Sequence, residues 1–192
     1  MSEETAARPP IGPRRAVLTL GTTQTIGYGC SVYLPASLAD SMAAGVGVST
    51  AFVFAVFSGA LLIQAFVGPA AGRAVDRRGA RTPLVTSSVL LVLGMTGLAV
   101  SQTPAHLIGA WAVIGLGMSI GLYDIAFAGA VVWFGPEARK TITGITLIAG
   151  FASTIAWPLT AWLEAEIGWR GACLAWAGAN ALIGLPLHIS LP

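Results

Sequence analysis

Residues 72–81 read Gly72-Arg73-Ala74-Val75-Asp76-Arg77-Arg78-Gly79-Ala80-Arg81, a charged stretch set between two apolar runs at about 48–71 and 82–101. Four of the ten Lys and Arg in the chain fall inside it. Each flanking run reaches the roughly 20 residues that a helix needs, at 1.5 Å each, to cross about 30 Å of hydrocarbon. Four more runs reach that length, at about 16–38, 105–134, 141–163 and 170–190, joined by short connections. Strands of a membrane barrel would be about ten residues long with alternating sides, which these runs do not show. Lipid satisfies no backbone polar group, so the expectation is an all-α membrane protein of six transmembrane helices. Residues 14–192 form the bundle, and residues 1–13 are expected to be a disordered cytoplasmic tail.

Composition leads to the same class. Of 192 residues, 55% are hydrophobic and 9% charged, with a mean hydropathy of +0.79. A soluble domain carries about 25% charged residues, and a disordered chain is poor in apolar ones, so both are excluded. Cys30 and Cys173 lie inside apolar runs, without disulfide-framework or metal-ligand spacing, and no cofactor or metal site is expected. The net charge of +2 is small and its cations are clustered by topology, which does not suggest a nucleic-acid partner. Arg8, Arg14 and Arg15 precede the first run, four arginines fill the loop quoted above, and Arg139 and Lys140 precede the fifth. Nine of the ten cations thus fall on one side of a six-crossing path, and Arg170 stands on the other with Asp40, Glu164 and Glu166. The positive-inside rule then places both termini in the cytoplasm, with the bundle in the cell's inner membrane. The first run exceeds 20 residues and contains Thr22, Thr23, Gln24 and Thr25, unlike a cleaved signal core, so it is read as a span.

An arginine anchor alone explains the positive charge of the loop but neither Asp76 nor the glycine spacing. The pattern G-x-x-x-D-R-x-G-x-R after the second span resembles the signature loop of the major facilitator superfamily of secondary transporters. Gly168-Trp169-Arg170 at the entrance to span 6 is similar to the Gly-Trp-Arg found there in that superfamily. Gly79 and Arg81 share their spacing with Gly168 and Arg170, 89 residues on. The resemblance implies the amino-terminal half of that fold, two inverted three-helix repeats. It implies transport of a small solute by alternating access, with a second six-helix half supplied by a covalent continuation, a partner chain or a second copy. Gly72 would let a helix of that half approach, and Asp76 with Arg77, Gly79 and Arg81 would form a conformational tether at the inner face. Ala80 stands where a second basic residue is usual, Trp111 stands four residues before Gly115-Leu116-Gly117 where many members carry Arg, and span 5 lacks the Gly-Pro-rich stretch of antiporters. Those departures point away from drug/proton antiport. Gly27-Tyr28 and Tyr33-Leu34-Pro35 loosely resemble the monocarboxylate-porter-like branch.

Polar residues within the spans are candidates for the solute or proton cavity. Asp124 in span 4 costs about 2.5–3.5 kcal/mol to insert at the bilayer centre, so it should face water or a donor, as a proton carrier would. Tyr123 adjoins it. Gln24 and Tyr28 share one face of span 1, and Thr154 and Trp157 are an i, i+3 pair in span 5. Hydrogen bonding between packed helices is the bland alternative for each, and the reading preferred for Gln64 and Asn180. Trp133, Trp162 and Trp169 fit interfacial anchoring. Two rival classes remain. Gly117-Met118-Ser119-Ile120-Gly121 with His188 could be an intramembrane serine protease, although their depths differ and the loop goes unexplained. A structural or truncated membrane subunit without its own transport is the other.

Overall fold

The chain is seen here in a computed structural model that describes residues 10–192, and among those residues every regular element is helical. The expected tail, with Arg8, lies for the most part outside the described residues. Its last part does not: Ile11 is buried in the core.

The helices are α1 (Pro13–Cys30), α2 (Leu34–Val46), α3 (Thr50–Arg78), α4 (Arg81–Ala99), α5 (Pro104–Ser119), α6 (Tyr123–Phe134), α7 (Ala138–Ala149), α8 (Ala152–Ala179) and α9 (Leu185–Ile189). Their ends are chemically marked. Pro13, Pro35 and Pro104 open α1, α2 and α5, where a missing N–H costs nothing. Ser49 and Thr103 cap α3 and α5 by accepting the amides of Phe52 and His106. Three stretches of the described residues are long and apolar enough to cross a membrane: Thr50–Arg77, Arg81–Ala99 and the interrupted run Pro104–Ile189. The protein is an all-α, multi-pass membrane protein.

Three of the expected spans are broken rods: the fifth is interrupted at Gly150–Phe151, between α7 and α8, and the other two breaks are related. α1 gives way to α2 at Ser31–Tyr33, and α5 to α6 at Ile120–Leu122, the same offset of 89 residues later. Pro69 inside α3 and Pro158 inside α8 are also 89 apart. Gly79 (φ 80°, ψ 167°) and Gly168 (φ 71°, ψ 169°) then take one backbone conformation, in a region open essentially to glycine alone. Gly168 turns the chain within α8 and so separates the fifth expected span from the sixth, while a π-helical turn at Asn180–Gly184 leads into α9. The repeat seen faintly in the Gly-x-Arg spacing is a repeat of helix breaks.

The interior is layered. One apolar cluster gathers Leu34, Leu38, Met42, Met95, Trp111 and Trp176 with their neighbours, and a second gathers Leu20, Val75, Leu84, Ile125, Trp133 and Ile145. Between them runs a belt of buried polar groups. Gln24 Nε2 donates to the Gly121 carbonyl at 2.8 Å, Ser87 Oγ to the Gly117 carbonyl at 2.7 Å, and Ser88 Oγ pairs with His188 Nδ1 at 2.8 Å. A Cβ on Gly121 would overlap Ser87 Oγ, so the break between α5 and α6 depends on glycine there.

Candidate functional site

The break at Ile120–Leu122 organises the site. It frees the Gly121 carbonyl, which Gln24 reaches from α1, and it starts a new helix whose first turn holds Tyr123 and Asp124. Gln24 is 1% exposed, and its Oε1 has no partner among the described residues. Asp124 is exposed, and its place in the first turn of α6 puts a carboxylate at the positive end of that helix. That favourable helix start for the carboxylate is one that a reading of span 4 as a single unbroken helix could not supply.

Tyr28, Tyr33, Tyr123 and Trp157 form a continuous aromatic track. Tyr123 stacks on Phe127 at 4.9 Å between centroids, Tyr28 lies 4.7 Å from Tyr123 and 6.1 Å from Tyr33, and Tyr33 meets Trp157 edge-on at 5.9 Å. All three tyrosines of the chain are in it. The track draws on α1, the α1–α2 break, α6 and α8, and Trp157 keeps about half its surface open, at 49%. Tyr28, Tyr123 and Trp157 were expected on the cavity and are brought together; Tyr33 and Phe127 were missed, although the Tyr33-Leu34-Pro35 run marked the first. Thr154 is exposed one turn before Trp157 and belongs to no contact of the track.

Between α3 and the start of α6, a groove of about 460 Å³ is lined by Leu61, Gln64, Gly68, Pro69, Gly72 and Asp124. Asp124 therefore shares a surface with the first glycine of the signature loop. Gln64, expected to be a packing group, lines this groove. Nothing lies within 4 Å of a Cβ placed on Gly72, so this glycine is not required by any contact within the described chain. Along the same helix Phe54, Leu61, Leu62 and Phe66 are exposed, Phe66 at 81%.

The two loops differ in how they are tied. Asp76, Arg77 and Arg81 are exposed, and among the described residues Asp76 forms no ion pair in this conformation. At the other loop Arg170 donates to the Ser101 carbonyl at 2.8 Å and more weakly to that of Gly45 at 3.5 Å, and its guanidinium lies 4.1 Å from the Trp169 ring centre. Trp169 packs where a Cβ of Gly45 would be, Ser41 donates to the Glu164 carboxylate, and Thr50 donates to Asp40 at 2.7 Å. Gly168-Trp169-Arg170 is thus a clamp from the kink within α8 onto the ends of α2 and α4.

A family model described as Major Facilitator Superfamily matches residues 19–191. The chain belongs to that superfamily. A protein of Thermoproteus tenax described as "uncharacterized 38 kDa protein in 23S RNA operon" is 33% identical over 149 residues, 77% of this chain and 38% of its own length. The oxalate:formate antiporter of Oxalobacter formigenes is 30% identical over 131 residues, 68% of this chain and 30% of that protein. The chain spans about a third of the length of these two relatives.

Superfamily membership points to a non-enzymatic transporter, and the geometry disposes of the protease alternative independently. The Ser119 hydroxyl donates to the Leu116 carbonyl at 2.6 Å, while His188 Nδ1 is engaged with Ser88, so the nucleophile and base are not together. Two tryptophans also depart from expectation. Trp133 and Trp169 are 7% and 8% exposed and fill the interior, because each finds a flat partner: Trp133 lies along Gly129 and Trp169 against Gly45. Trp162, at 58%, is outward-facing as an anchor should be.

Proposed function

We propose that the chain is a six-helix half of a gradient-driven carrier that moves small carboxylates by alternating access. The aromatic track supports this most. Ring edges, the positive part of the aromatic quadrupole, can border a short planar anion, and phenol hydroxyls can donate to its oxygens. The spans carry no Lys or Arg in their interiors, so the countercharge would come from a second six-helix half. The name of the O. formigenes relative points to the same solute class. The six crossings, the inner membrane and the cytoplasmic placement of both termini remain our reading, on the strength of the cation distribution. Within it, the open face at Gly72 receives a helix of the second half, and Asp76 with Arg77 and Arg81 ties the cytoplasmic ends in the opposite state. Asp124 carries the coupled proton, reached through the groove it shares with Gln64.

Reconstitution of the full-length protein in proteoliposomes tests the solute class. Labelled formate, acetate or oxalate should be taken up, and Tyr28→Ala should lower uptake at least tenfold, since one well-made contact is worth about 1.4 kcal/mol. Uptake that no small mono- or dicarboxylate can compete would overturn the class. A second reading, a membrane subunit without transport of its own, is favoured by the uncovered face of α3. It predicts no uptake of any solute while the chain co-purifies with another membrane protein.

A further inference from the structure

The seam between α1 and α7 carries two grooves in line. Nearest the start of α1, an open groove of about 380 Å³ is lined by Pro13, Arg14, Val17, Leu18, Lys140 and Thr141. Farther along, about 530 Å³ lies among Thr22, Ile26, Leu147, Ile148, Phe151 and Ile155. The first has two cations on an otherwise apolar wall, and the second has none. Leu18, Leu147 and Phe151, which line the seam, are all exposed. The seam is also rigid. A Cβ on Gly144 would meet Val17 at 2.8 Å, and one on Gly21 would meet Ile148 at 2.8 Å, so the two helices approach at glycine on both sides and the backbones that carry Arg14 and Lys140 are packed together.

We infer that this seam binds one anionic phospholipid, its phosphate between Arg14 and Lys140 and an acyl chain along Leu18, Leu147 and Phe151. Charge and polarity select the occupant. Thirteen residues from Pro13 to Ile26 span about 20 Å, comparable to one leaflet of hydrocarbon. Cations at one end and apolar walls thereafter match a headgroup followed by a tail, whereas a small soluble anion would leave the longer groove empty. Glu137, 3.5 Å from Lys140, competes weakly, because that pair is solvent-exposed on both sides. The phosphodiester of a phospholipid has two anionic non-bridging oxygens, one to accept from Lys140 and one from Arg14. The inference rests on the chain lying in a membrane and not on what it transports.

The test is lipid retention by the full-length protein, purified in mild detergent and examined by native mass spectrometry after exposure to phosphatidylglycerol or phosphatidylcholine. Wild type should retain phosphatidylglycerol preferentially, and R14Q/K140Q should lose about 30-fold of that preference, from two interfacial cations. R14K/K140R should keep most of it. L147W, which fills the chain groove and leaves both cations in place, should weaken retention of both lipids. Equal retention of the two lipids by wild type, or an unchanged preference in R14Q/K140Q, overturns the inference. So does displacement of the lipid by millimolar inorganic phosphate, which would make the site one for a soluble anion. Folding of each variant is verified by its thermal transition, and uptake is measured separately, so loss of transport with lipid retained speaks only to the carrier reading.

Discussion

Gly121 and Ser87 show how little room single residues leave in this bundle. Gly121→Ala should cost about 1–3 kcal/mol, the usual range for overpacking, seen as a lower thermal midpoint in detergent. Ser87→Gly in the same chain removes both the Oγ and the Cβ that a side chain at 121 would overlap, and should recover part of it, a double-mutant cycle with a coupling of about 0.5–3 kcal/mol. If the two losses simply add, the contact between them is not the cause. The signature glycines divide in the same way. Gly79→Ala and Gly168→Ala force a side chain into a region that costs about 1–3 kcal/mol, and both should destabilise alike. Gly72→Ala meets open space and should leave stability within about 0.5 kcal/mol. Its penalty should appear only in transport, if a helix of a second half occupies that face. Gln24 is harder to foresee from sequence. Its i, i+4 relation to Tyr28 was legible, but its hydrogen bond goes to a carbonyl that exists as an acceptor only because span 4 is broken.

Helix breaks carry most of the architecture at the scale of elements, and they were only partly legible. Proline at 69 and 158 and glycine at 79 and 168 are visible in the sequence, and they mark the repeat once their spacing is compared. The break at Ile120–Leu122 has no proline, and its one glycine lies in a glycine-rich apolar run. Hydropathy sees only an uninterrupted span there, because a broken helix and a whole one bury the same apolar atoms. The clamp at Arg170 was named as a motif, yet its partners are backbone carbonyls of Gly45 and Ser101, which no side-chain pattern reveals. Arg170→Gln should lower stability by about 1.5–3 kcal/mol, the range for hydrogen bonds to a charged donor. Asp76→Asn should leave the thermal midpoint nearly unchanged while uptake falls. A stability loss at Asp76 as large as that at Arg170 would show that the signature loop is a structural anchor of this half and not a moving contact.

The fold class of the whole molecule followed from six apolar runs and one charged loop, because a chain with 9% charged residues has no other way to satisfy its backbone and its solvent. The site was less legible: three of the six expected cavity residues (Tyr28, Tyr123 and Trp157) meet in one aromatic track, but Gln24 is buried against the Gly121 carbonyl, Asp124 opens onto a groove beside α3 and Thr154 belongs to neither. Adjacent residues of one short helix thus serve two surfaces. Asp124→Asn should abolish the response of uptake to an imposed proton gradient and spare binding of the solute, measured by competition at fixed pH. An unchanged gradient response removes the coupling role. Single cysteines at Asp76 and Glu164 should label from opposite sides of sealed membranes, which checks the path of the chain. The hydrogen bond from Thr50 to Asp40 also has a mechanical meaning. It fixes one extremity of α3 to the clamped end of the molecule, and Asp76 stands about 40 Å farther along the same rod. A tilt of one degree at that pivot sweeps the far tip by about 0.7 Å, so a few degrees of rotation are enough to make or break a contact at the signature loop.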